Sequence, residues 1–148
     1  MNSSKLFNEN TFYQSFISDL KKCKNEVIIE SPFITTLRVN DFRSVFEKLL
    51  EKDVKIYIFT RDPKEHELPM AYQAEAEIQY FERIGIKTLI CLNNHHRKLA
   101  ILDKQILWEG SLNILSQNKS REIMRRIEGK ESAMQMFDFL NLRKFLNI

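Results

Sequence analysis

Four residues in the stretch 96–113 have the types and spacing to act on a phosphate diester: His96, Lys98, Ser111 and Asn113. If residues 97–102 are extended, side chains alternate and His96, Lys98 and Ala100 share one face. Ser111 and Asn113 likewise share a face just after the next strand-like piece, and Gly110 leaves room for close backbone approach. Two neighbouring strands would then present an imidazole, an ammonium, a hydroxyl and a carboxamide side by side. Lysine brings a point charge to non-bridging oxygens, while Ser and Asn bring hydrogen bonds. Histidine, with an ordinary pKa of about 6.5, can be a nucleophile or a general acid near neutrality. No cluster of carboxylates accompanies these residues to hold Mg²⁺, so the chemistry is expected to need neither metal nor other cofactor.

The elements that must position these groups alternate in type. A helix is predicted from Thr11, its N-cap, with Phe12, Tyr13, Phe16, Ile17 and Leu20 on one face and Lys21, Lys22 and Lys24 at its end. Residues 26–34 read as a strand whose continuous run Val27, Ile28, Ile29 suits a sheet covered on both faces, with Pro32 marking its exit. Asn40 is placed as the cap of a second helix carrying Phe42, Val45, Phe46, Leu49 and Leu50. A strand at 54–60, a polar loop at 61–67, a helix at 69–84 closed by Gly85 and a strand at 86–92 follow. This order predicts α/β architecture: a mixed, largely parallel central sheet with helices on both faces. Beyond it, strand-like pieces at 98–102 and 105–108 flank Asp103-Lys104 as a hairpin, and residues 122–127 read as one more strand. A helix from about Ser132 carries Met134, Phe137 and Leu140. There is no internal repeat, low-complexity tract or linker, so one domain over 1–148 is expected.

Composition narrows the class further. The 148 residues are 43% hydrophobic and 29% charged with three Gly and three Pro, a balance that argues for a folded globular chain rather than a disordered one. A formal charge of +3 hints only mildly at a polyanionic partner. Cys23 and Cys91 have no paired spacing and read as reduced thiols. No apolar stretch approaches the roughly 20 residues needed to span a bilayer, and MNSSKLFNEN lacks the apolar core of a signal peptide. A cytoplasmic location without membrane contact is the expectation.

The spacing H-x-K-x4-D-x6-G-S-x-N, carried by His96, Lys98, Asp103, Gly110, Ser111 and Asn113, identifies the chain as a member of the phospholipase D superfamily. The Ser31-Pro32-Phe33 strand exit and the Glu82-Arg83-Ile84-Gly85-Ile86 run also resemble that superfamily, in particular the phospholipase D-like domains of prokaryotic nucleases, including those of restriction enzymes and those attached to helicases. The resemblance implies that His96 is the nucleophile, forming a phosphohistidine that water hydrolyses. It implies that Lys98 and Asn113 clamp the phosphoryl oxygens with Ser111 in support, and that a downstream carboxylate orients the histidine. Glu122 is the candidate for that carboxylate, with Glu109 and Glu128 behind it. Asp103 belongs to the signature but falls at the hairpin turn, which leaves two roles open: direct catalysis, or holding the hairpin or a dimer. The family uses two copies of the motif and this chain carries one, so a homodimer is implied.

Other residues have plainer readings. His95 faces away from His96 on an extended segment and reads as a flank; His66 sits in a polar loop without evident partners. Arg97, Lys119, Arg121 and Arg125, with Arg126 and Lys130, could track a nucleic-acid backbone or form a solvated face, and Arg125 or Arg126 could instead pair with Glu122. Trp108 and Phe33 could stack on bases but more often such residues are core or dimer contacts. The expected function is a metal-independent nuclease with DNA ahead of RNA as substrate, and a helicase or specificity subunit as a further partner. The alternatives are a nucleic-acid-binding or dimerisation module of such a system with little catalysis, and a hydrolase of phospholipids or small phosphodiesters.

Overall fold

The centre of the molecule is made of strands without polar alternation. Val27, Ile28 and Ile29, then Ile56 through Phe59, then Leu99 through Leu102 are all buried. Strands buried on consecutive positions need cover on both faces. The computed structural model describes residues 3–146, so the first two and last two residues of the expected 1–148 span lie outside the described residues. Its strands are β1 (Ser3–Asn8), β2 (Glu26–Glu30), β3 (Lys55–Arg61), β4 (Lys87–Cys91), β5 (Leu99–Leu102), β6 (Ile106–Gly110) and β7 (Ile123–Glu128), forming one sheet in the order β1-β7-β6-β5-β2-β3-β4.

Helices α1 (Phe12–Lys21), α2 (Thr36–Asn40), α3 (Arg43–Glu51) and α4 (Leu68–Ile84) cover one face. Phe12, Phe16, Phe42, Phe46, Phe81 and Trp108 form the larger core there. Helices α5 (Lys130–Phe139) and α6 (Arg143–Leu146) cover part of the other face, over a smaller core with Ile28, Phe59, Leu99, Ile101, Leu107 and Phe137. Alternation within a strand sorts residues between the two: Val27 and Ile29 enter the larger core, Ile28 the smaller.

The mixed sheet with helices on both faces is the architecture expected, but its parallel part is smaller than the order of elements suggested. Parallel pairing is confined to β2 with β3 and β3 with β4; the other four pairings are antiparallel. The cause is the connection between β4 and β5. Only residues 92–98 join them, too short for the dozen or more residues of a parallel crossover. This loop instead runs along the carboxyl ends of β3 and β2, and β5 returns antiparallel beside β2.

Two further elements differ from expectation. β1 was not anticipated; five of its six residues are exposed, so it has no hydrophobic period, yet it pairs along the whole of β7. The helix expected behind Asn40 is two helices: Asn40 ends α2, Thr35 caps α2 through Oγ1, and α3 begins at Arg43. Gly85 does close α4 in the left-handed region, φ 103°. Asp103 and Lys104, at φ 53° and 52°, open the three-residue connection that joins β5 to β6, closed by the Gln105 N–H donating to Leu102 O at 2.9 Å.

Candidate active site

The carboxyl ends of β2, β3, β4 and β6 and the amino ends of β5 and β7 meet at one end of the sheet. Gly110, the last residue of β6, fixes how closely they meet. A Cβ there would stand 2.1 Å from the Ile123 carbonyl oxygen and 2.9 Å from Met124 Cα, so β7 can approach only a glycine. On its other side the Gly110 N–H donates to the Lys98 carbonyl at 3.4 Å. Ser111 continues the junction: its N–H donates to Ile123 O at 2.9 Å, and its hydroxyl accepts from the Ile123 N–H at 3.0 Å.

The next residues are anchored to the β2 exit and to α1. The Leu115 N–H donates to Ser31 Oγ at 3.0 Å, and the Thr35 N–H donates to Leu115 O at 3.0 Å. The Tyr13 hydroxyl donates to the carbonyls of Ile114 at 2.8 Å and Asn113 at 3.3 Å. Burial pushes the Tyr13 phenol well above its ordinary pKa, so it stays a donor. Asn113 is thereby held by its backbone, while its buried Oδ1 has no hydrogen-bond partner among the described residues.

His96 and Lys98 sit in the 92–98 loop just ahead of β5, and the Lys98 carbonyl meets the Gly110 N–H. His96 is exposed; Lys98 is half-buried and its Nζ donates to the His96 carbonyl at 2.9 Å. The Lys98 ammonium, then partial burial, Arg61 and His95 hold the His96 imidazole below its usual 6.5. Its neutral form therefore prevails at neutral pH, as a nucleophile requires. Burial lowers the Lys98 pKa, and the Glu122 carboxylate works against that. The result is an exposed neutral imidazole beside a cation that is in turn balanced by a carboxylate.

Glu122 stands immediately before β7, its N–H donating to Glu9 Oε1 at 2.8 Å. Its charge acts on Lys98 and Tyr13; among the described residues no carboxylate hydrogen-bonds the His96 ring. Of the other carboxylates considered, Glu128 binds Arg126 at the far end of β7 and Glu109 lies across from Arg125. Asp103 is not part of the cluster. It lies at the opposite end of β5, and its carboxylate accepts the N–H groups of Lys24 (2.8 Å), Asn25 (2.8 Å) and Glu26 (3.0 Å), closing the turn between α1 and β2.

The basic residues divide. Lys119 and Arg121 are exposed in the segment between Asn113 and β7, and Lys119 lines a cavity of about 370 Å³ with Tyr13, Arg38 and Glu9. Arg125 donates to Ser4 Oγ, and Arg126 forms a two-pronged pair with Asp19, so neither serves Glu122. Arg97 is engaged: its Nε donates to Glu30 Oε1 at 2.9 Å. Trp108 is fully buried among Phe7, Phe12 and Phe16 and donates its indole N–H to Asp19, which removes it as a base-stacking surface. Phe33 does lie at this end of the sheet, and His66, expected to be without partners, stacks on it at 4.8 Å. Among the described residues no three His, Cys, Asp or Glu converge in a way that could hold a metal ion, and no helix is long and apolar enough to cross a membrane.

Sequence reasoning passed over Glu30, Tyr13, Glu9 and Arg61. Tyr13 read as one more apolar position of α1. The one available signal was Glu30, a carboxylate closing an otherwise apolar buried strand, where an unpaired charge would be costly.

Comparison with known proteins agrees with this fold. The family described as cardiolipin synthase, PLD-like domain matches residues 16–141, a span that contains the whole motif. No curated protein matches the chain in sequence. Among solved structures it is similar to NucT from Helicobacter pylori, with 19% identity, a TM-score of 0.70 and 94% of this chain covering 93% of that one. It is similar to a phospholipase D family member, Nuc from Salmonella typhimurium, with 16% identity, a TM-score of 0.75 and coverage of 94% and 91%. Phosphatidylserine synthase from Haemophilus influenzae shares 13% identity at a TM-score of 0.68, with 99% of this chain covering 39% of that one. The chain belongs to the phospholipase D-like family and has its phosphodiesterase fold.

Proposed function

We propose that the protein is a nuclease that cleaves nucleic acid, DNA in preference to RNA, without a metal ion. The observation that carries this reading is the neutral, exposed His96 imidazole held beside the Lys98 ammonium at the Gly110 junction. A ring nitrogen of His96 attacks phosphorus and the bond to the leaving oxygen breaks, giving a phosphohistidine; water then cleaves the P–N bond. Lys98 and Asn113 hold the non-bridging oxygens, and Ser111 supports them by pinning the start of β7. Glu122 balances Lys98, and Lys119, Arg121 and Arg125 follow the strand beyond the scissile phosphate.

The leaving oxygen needs a proton, and the second histidine that supplies it belongs to another copy of the chain. What supports a dimer is the uncovered sheet face beside the site, where Leu6 and Ile123 are 57% and 62% exposed. The test is cleavage of DNA, RNA and bis-p-nitrophenyl phosphate in EDTA by the wild type and His96→Ala, with light scattering for the dimer. Cleavage that survives chelation and disappears in His96→Ala is the expected result; cleavage only with Mg²⁺, or a strictly monomeric active enzyme, would overturn the mechanism. A second reading, hydrolysis of lipid phosphodiesters, is favoured by the cardiolipin synthase family description and the likeness to phosphatidylserine synthase. Phosphatidylglycerol vesicles in the same assay decide between them.

A further inference from the structure

Glu30 is the last residue of β2, fully buried, and remote in sequence from the motif. Register places it across from Leu99, the first residue of β5, so its carboxylate lies under the loop that delivers His96. Both neighbours of His96 reach it. His95 Nε2 stands 2.9 Å from Oε1, a close charge contact set off the line of a hydrogen bond, and only 9% of the His95 side chain is exposed. From the other side Arg97 Nε donates to the same Oε1 at 2.9 Å, with Nη2 3.5 Å from Oε2.

Along an extended segment alternate side chains point to opposite faces. Residues 95 and 97 turn toward Glu30 and the smaller core, where Phe59, Leu99 and Ile101 also lie. Residues 96 and 98 then have one direction left, toward the opposite face of the sheet, the one on which Ala100 and Leu102 lie. We propose that Glu30 is a positioning residue for the nucleophile: by holding His95 and Arg97 together it fixes the rotation of the chain between them, and so aims the His96 imidazole. A buried carboxylate cannot stay charged without such partners, and each partner is drawn to a defined place because the charge has nowhere else to go. The loop on the far side is held in a similar way. Glu65 accepts the N–H groups of Asn93 and Asn94, both at positive φ, and Arg61 ties Glu65 to the Asn94 side chain. His96 thus projects from a segment tied at each end.

The proposal rests on the phosphodiesterase reading for its role in turnover, and the test separates the two. The variants are Glu30→Gln, which keeps the shape and removes the charge, and the pair His95→Gln with Arg97→Gln. Asp103→Asn serves as a control that loosens the fold away from the site. A displacement of a reacting group by about 1 Å costs on the order of 100-fold. Glu30→Gln is therefore expected to lower kcat on bis-p-nitrophenyl phosphate about 10- to 100-fold with KM unchanged. The double variant should fall by a similar factor, and combining all three should add little, because the groups act as a unit. Asp103→Asn should lose melting temperature while keeping kcat.

Imidazole NMR gives a readout that needs no turnover. In the wild type the His96 ring should titrate below 6.5, under Lys98, partial burial, Arg61 and His95; in Glu30→Gln that titration should shift upward as the ring leaves its place. If Glu30→Gln loses stability but keeps both kcat and the His96 titration, Glu30 is only structural and the proposal is wrong. If the wild type cleaves nothing, the nuclease reading fails, and an unchanged His96 resonance and titration in Glu30→Gln would still overturn the positioning role.

Discussion

Asp103 offers a direct test of how the motif divides between chemistry and architecture. Its carboxylate accepts three backbone N–H groups at 2.8–3.0 Å, all from the turn between α1 and β2, and its own backbone sits at φ 53°. The net worth of each bond at this half-exposed position is about 1 kcal/mol, so truncation to Ala forfeits about 3 kcal/mol. Alanine in the left-handed region adds about 1 kcal/mol more, whereas Asn tolerates that conformation. At about 3 °C per kcal/mol for a chain of this size, Asp103→Ala should melt roughly 12 °C lower. Asp103→Asn keeps one acceptor oxygen and should cost about 1–2 kcal/mol, or roughly 3–6 °C. Calorimetry gives the melting temperatures, and kcat on a chromogenic diester is measured well below them. Both variants should retain kcat per folded molecule. A large loss of kcat in Asp103→Asn without a fall in melting temperature would refute the structural role.

The remaining predictions concern the site end of the sheet. Because the fold lowers the His96 pKa, the neutral ring persists to more acidic pH, so the acid limb of kcat/KM should lie below 6.5; Lys98→Met, besides slowing turnover, should shift that limb upward, and a downward or absent shift would contradict the Lys98 effect. Gly110→Ala places a Cβ 2.1 Å from a β7 carbonyl, so β6 and β7 must part, at a cost of about 1–3 kcal/mol and with loss of activity; urea denaturation alongside kcat would show both. Lys119→Ala and Arg121→Ala should each weaken DNA binding and reduce the slope of log K against log salt by about 0.9 for every phosphate left without its cation, whereas an unchanged slope would remove them from the interface. Arg125→Ala, whose guanidinium is already shared with Ser4, should change that slope less.

The parts of the site encoded within one short stretch were legible, and those depending on distant pairings were not. His96, Lys98, Gly110 and Ser111 can be placed together from alternation and the Asp103-Lys104 turn alone, since the hairpin that joins them is local. Asp103 was ambiguous because its partners, the N–H groups of residues 24–26, carry no side-chain signature. Glu30 stood out only as a carboxylate in an apolar strand, and its hold on His95 and Arg97 was not legible: a residue separated from the motif by five elements, α2, α3, β3, α4 and β4, declares nothing about where its carboxylate will end. The strands were mostly found, but the pairing of β5 with β2 could not be read from hydrophobic runs, which mark burial and say nothing of direction. β1 escaped because a strand that is mostly exposed has no hydrophobic period to detect. Trp108, read as core or dimer contact ahead of a base-stacking surface, is core, but Asp19, which satisfies its N–H, lies on another element and could not be named from the sequence.

The insertion of β5 beside β2 has a consequence for how the molecule is made. Synthesis delivers β2, β3 and β4 with their helices first, and these can pair as they leave the ribosome, yet β2 keeps one bare edge until Leu99 and its successors emerge. β1 waits longer still, with no partner until β7 is out. His96 emerges before every strand that frames it on the motif side, and the Gly110, Ser111 and Ile123 junction closes only near the end of translation. The nascent chain therefore carries the His96 imidazole unaimed, and the proposed nucleophile reaches its place only when the sheet has been zipped across the long interval separating its first strand from its last.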